Sequence, residues 1–154
     1  MYELRVGKGK STCSCPWCRN FYSNEQPGPI LPAEAKGLFD TLGIELGREV
    51  ELLCPPVDSR LKWYTGFLGF VGRIAGGPDA SGWQKRSAPH AITDRFEIGF
   101  AQAHSFWQGD FEGQPTVEVI YSTEVPWVLS EPDPDIEWIA KQKGRHRQTT
   151  RKGP

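Results

Sequence analysis

A chain of 154 residues with 38% hydrophobic and 24% charged side chains has the make-up of one globular domain, large enough to bury a core without a disulfide framework. No segment approaches the roughly 20 consecutive apolar residues that a membrane-crossing helix needs, and the start, Met1 to Val6, lacks the apolar centre of a secretory signal, so a cytoplasmic location is expected. The net charge of −1 conceals an uneven distribution: residues 1–140 carry 12 basic and 19 acidic side chains, a net −7, whereas residues 141–154 carry six basic and no acidic ones. An acidic body disfavours broad contact with a phosphate backbone and favours a basic partner, while the basic tail suits nucleic acid or another anionic surface.

In chain order, Tyr2, Leu4 and Val6 alternate with charged residues, the period of a half-buried strand leading into a cysteine-rich loop. One helical turn is expected over Arg19 to Ser23, ended by Pro27-Gly28-Pro29. From Pro32 to Leu42, Ala35, Leu38, Phe39 and Leu42 recur at helical spacing, with proline at the start and Gly43 just past the end, so this is the main helix. Arg48 to Cys54 alternates as a strand, with Val50, Leu52 and Cys54 on the inner face and Glu49 and Glu51 outward, until Pro55-Pro56 stops it. Three more strands are expected at Leu61 to Ile74, Asp94 to Gln102 and Thr116 to Val128, and a short helix at Asp135 to Lys141. Strands joined by polar loops, without helices alternating between them, predict an α+β fold. Its expected form is an antiparallel sheet or small barrel with one main helix, a single domain over 1–140, and a flexible basic tail over 141–154.

Sulfur carries the clearest chemistry. Cys13, Cys15 and Cys18 lie within six residues, and Cys54 falls at the end of a predicted strand. A zinc ion takes four thiolate or imidazole donors in a closed structural site, and three from one loop plus one from a neighbouring element supply them. The expected ligands are therefore Cys13, Cys15, Cys18 and Cys54 around a structural Zn2+. Were Cys54 an ordinary core residue, His90, His104 or water would supply the fourth donor, and a catalytic zinc would return to consideration. An iron–sulfur cluster uses the same donors.

A rival reading uses Cys15-Pro16-Trp17-Cys18, which is similar to the Cys-Pro-Tyr-Cys site of glutaredoxins, where an exposed thiolate at a helix start attacks disulfides. That enzyme requires the motif to open a long helix in a βαβ unit, and the proline break leaves fewer than ten residues for it. No histidine or carboxylate grouping suggests another catalytic residue, and the glycine-lysine run at 7–12 lacks the spacing of a phosphate loop. Of six tryptophans, Trp17 inside the knuckle and Trp83 in a glycine-rich loop are the candidates to project and anchor a partner.

The run from Cys13 to Tyr22, with Leu42-Gly43-Ile44 and Glu51 to Cys54, resembles a group of small uncharacterised bacterial and phage proteins that open with a strand and a Cys-x-Cys-x-x-Cys-Arg-Asn segment. The likeness covers the first half of the chain. It implies a bacterial or phage origin and agrees with the metal site, but brings no activity with it. The expectation is thus a non-enzymatic, zinc-pinned protein that binds another protein as an interaction or immunity-like accessory factor. The alternatives are a thiol–disulfide enzyme using Cys15 and Cys18, or a nucleic-acid binder acting through residues 141–154.

Overall fold

A computed structural model describes residues 13–25, 28, 30–57, 59–76, 90–102 and 113–149, the last eight of these as backbone alone. The strand expected at Tyr2 to Val6, together with Trp83 and His104, lies outside the described residues. Within them the chain forms α1 (Pro16–Ser23), α2 (Ala33–Leu42), β1 (Glu51–Leu53), β2 (Leu61–Val71), β3 (His90–Thr93), β4 (Phe96–Gln102), β5 (Thr116–Pro126) and α3 (Pro134–Thr149). The five strands make one sheet in the order β1-β2-β5-β4-β3, with every neighbouring pair antiparallel. The α+β expectation therefore holds, as an open sheet edged by β1 and β3.

The helix expected over Pro32 to Leu42 is not the one main helix, since three helices form among the described residues and α3, with 16 residues, is longer, but it starts and stops where its sequence directs. Pro32 precedes it in extended conformation, and Gly43 ends it at φ 67°, a left-handed geometry that glycine adopts without steric cost. β2 and β5 pair along their full eleven residues, and their alternation sets the core. Tyr64 and Leu68 share one face with Val119, Tyr121 and Val125 of β5 and with Phe96 and Ile98 of β4. Phe21 of α1 and Ala35 and Phe39 of α2 close over that face. Tyr121 is at its centre, with no exposed surface, and its ring stacks on Phe96 at 5.8 Å between centroids. Gly66 lies opposite Tyr121 in the register, and a Cβ there would stand 2.3 Å from the ring, so only glycine leaves room for it.

Three local expectations change. The strand expected from Arg48 is regular only over Glu51–Leu53, so the alternation does not govern Glu49, which turns inward and is 2% exposed. Its carboxylate accepts hydrogen bonds from the hydroxyls of Tyr22 and Tyr121, both at 2.7 Å, and from the Gly47 amide at 2.9 Å. The strand expected from Asp94 is preceded by a further edge strand, β3, which begins at His90 and forms a hairpin with β4. The closing helix does not stop near Lys141 but continues to Thr149, so residues 141–149, assigned to a flexible tail, are helical. Between Pro134 and Thr149 no further proline interrupts the helix.

Candidate metal centre

The cysteine cluster is built by the first turn of α1. Cys15 is the N-cap, in extended conformation at φ −65° and ψ 155°, and Pro16 takes the first helical position, where its missing N–H costs nothing. The Cys15 sulfur accepts from the Cys18 amide at 3.5 Å, the capping bond that serine or aspartate makes elsewhere. A three-residue step along a helix brings Cys15 and Cys18 to one side, and the extended residues before the cap fold Cys13 back so that its sulfur is 3.3 Å from that of Cys15. All three sulfurs lie within 4.8 Å of one another. Cys13 is exposed, Cys15 half-buried and Cys18 buried, so the cluster spans from solvent to core.

Cys54 is not one of the three sulfurs that lie within 4.8 Å of one another; it is half-buried against the core cluster, and burial pushes its thiol pKa up to about 11. The reason is local: β1 ends at Leu53, and Cys54 follows it in an irregular segment packed against the core cluster. Tyr64 belongs to that cluster and also reaches the knuckle, where its hydroxyl donates to the Trp17 carbonyl at 2.9 Å. His90, the other donor considered, is exposed on the edge strand β3 and belongs to no such donor group.

The three thiols differ in their electrostatics. Hydrogen bonding from the Cys15 backbone, then from the sulfurs of Cys15 and Cys18, lowers the pKa of Cys13. Cys18 is pushed far up, first by burial and then by the neighbouring sulfurs. Three crowded thiols thus oppose full ionisation on their own, and a bound divalent cation reverses that balance by holding each as thiolate. The spacing suits one: with Zn–S bonds of about 2.3 Å, tetrahedral geometry sets sulfurs about 3.8 Å apart, between the shortest separation and the upper bound found here.

Around the knuckle, polar groups fasten α1 to the sheet. Asn20 has no exposed surface; its amide nitrogen donates to the Tyr64 hydroxyl at 3.2 Å and the Pro126 carbonyl at 3.1 Å, and its oxygen accepts from the Val128 amide at 2.7 Å. Arg19 pairs with Glu131 at 2.5 Å. Trp17 does not project as a partner anchor: it is half-buried against the core, and its indole N–H donates to Asp135 at 3.2 Å. Lys62, 1% exposed at its side chain, pairs with Asp133 at 2.5 Å and Asp135 at 2.8 Å. Strand parity carried a signal for this network, since Lys62 shares its face with Tyr64 and Leu68, and an inward lysine requires an anion.

The Cys-Pro-Trp-Cys segment does open a helix, contrary to the expectation that the helical turn begins at Arg19. That helix has only eight residues, and the sheet beneath is wholly antiparallel, so the βαβ setting of glutaredoxins is not formed by the described residues. Comparison with protein-family models, curated proteins and solved structures found no match.

Proposed function

We propose that this is a thiolate metal-binding protein in which Cys13, Cys15 and Cys18 hold one zinc ion as a structural staple at the head of α1. The observation that supports this is the convergence of three free thiols within 4.8 Å on a capped helix start. Zinc there supplies folding free energy by binding the ordered loop and not the open chain. The fourth donor comes from outside the triad, and Cys54, packed against the core cluster, is the reserve this chain offers. In this reading the protein works by binding a partner in a reducing compartment, and the net −7 of residues 1–140 favours a basic one.

The test is metal analysis of wild type beside Cys18→Ser and Cys54→Ser, with cobalt substituted to read the number of thiolates from its absorption bands. One equivalent of zinc in wild type, lost in Cys18→Ser, is expected. Retention in Cys54→Ser marks a three-thiolate site completed from outside, and loss marks closure by Cys54. A reduced wild-type protein that takes up no zinc refutes the reading.

One observation favours a second reading, thiol–disulfide exchange: Cys15 caps the start of a helix, with the free thiol of Cys18 three residues on and beside it. Metal-free protein would then reduce a model disulfide, and Cys15→Ser would abolish the activity.

A further inference from the structure

Trp17 sits between two of the three clustered cysteines and is held at both ends. Its carbonyl accepts from the Tyr64 hydroxyl of β2, and its indole N–H donates to Oδ1 of Asp135, in the first turn of α3. The other oxygen of Asp135 accepts from Lys62 Nζ at 2.8 Å, and that ammonium also pairs with Asp133 and donates to the Val57 carbonyl at 3.3 Å. Asp135 and Lys62 are 2% exposed and side-chain 1% exposed respectively, so this buried charge pair has no water to replace a lost partner. Beyond Asp135, residues Ile136, Glu137, Trp138, Ala140 and Lys141 are exposed and Ile139 is half-buried. Among the described side chains of α3, Asp135 is therefore the buried anchor, and the indole of the knuckle is one of its partners.

From this chain of contacts we infer that metal occupancy of the knuckle and docking of the first turn of α3 are energetically coupled, with Trp17 and Asp135 as the positioning residues that carry the coupling. The inference rests on the zinc reading above. An ion on Cys15 and Cys18 fixes the backbone that flanks Trp17 and holds the indole over Asp135. Without the ion the loop loosens, the indole hydrogen bond weakens, and α3 opens more often. Linkage makes the effect reciprocal, so weakening the indole–carboxylate contact lowers zinc affinity by the factor through which zinc strengthens it.

The experiment measures amide exchange over residues 135–141 with and without zinc, together with zinc affinity by chelator competition, in wild type and Trp17→Phe. Phenylalanine keeps an aromatic ring in place and removes the N–H donor together with the smaller ring that carries it. Zinc is expected to slow exchange at the start of α3 by about 5-fold or more in wild type, with most of that difference lost in Trp17→Phe and zinc affinity down by a similar factor. A purely structural role for Trp17 would change exchange equally in both metal states and leave the ratio alone, which overturns the inference. So does wild-type protein that binds zinc while exchange in α3 stays unchanged, a result that does not depend on the variant folding. Failure of wild type to take up zinc is seen separately, by metal analysis, and removes the zinc reading itself.

Discussion

Raising the pH attacks this fold through its buried hydroxyls. Tyr64 and Tyr121 have no exposed surface, and Tyr22 is half-buried. Burial raises the pKa of all three above the ordinary 10.0, and the Glu49 carboxylate raises Tyr22 and Tyr121 further by accepting their protons' hydrogen bonds and opposing a second negative charge. An unfolded tyrosine ionises from about pH 10, while the folded one keeps its proton, so the native state binds more protons and stability falls as pH rises. Each withheld proton costs about 1.4 kcal/mol per pH unit, so Tyr64 and Tyr121 together set a slope of about 3 kcal/mol per unit, with a smaller share from Tyr22. Outside the cysteine triad, two other groups act in the same direction. Cys54 is raised from 9.0 to about 11 by burial. Lys62 is pulled down by burial but raised more by Asp133 and Asp135, for a net rise above 10.5. A domain stable by roughly 5–15 kcal/mol should therefore unfold within a few units above pH 10. The assay is urea unfolding at stepped pH, compared with Tyr121→Phe. The variant starts less stable, but its slope should be shallower by about 1.4 kcal/mol per unit. A stability that stays flat through pH 11, or an unchanged slope in the variant, refutes the reasoning.

Gly66→Ala should destabilise by about 3 kcal/mol or more, read from the urea midpoint, because its Cβ meets a Tyr121 ring wedged among Phe21, Phe39 and Phe96. Glu49→Ala removes the acceptor of the buried Tyr121 hydroxyl and of the half-buried Tyr22 hydroxyl and should cost about 3 kcal/mol, with Glu49→Gln milder because the amide retains one acceptor. Lys62→Met leaves Asp133 and Asp135 buried without a counter-charge and should cost about 3–5 kcal/mol, seen as a Tm lower by about 10 °C. Adding Asp135→Asn to it should recover part of that loss, and a strictly additive double variant would show that the pair is not coupled.

What the sequence determined alone is what depends on neighbours a few residues apart. The helix of Pro32 to Gly43 follows from apolar spacing and its end signals, and β2, β4 and β5 from alternation and turn residues, because helix and strand periods are properties of local backbone geometry. The sulfur triad was legible for the same reason, since donors two and three residues apart meet within one helical turn. The tertiary structure decided everything that joins distant segments: the strand order, the turn of Glu49 inward, the pairing of Lys62 with aspartates more than 70 residues away, and the packing of Cys54 against the core cluster. Alternation assigns a face only where a strand is regular, and it carries no record of which remote side chain lies across that face. Such partners are chosen by the packing of whole elements, where burial of a charge or hydroxyl is tolerated only if the fold brings its complement within hydrogen-bond reach.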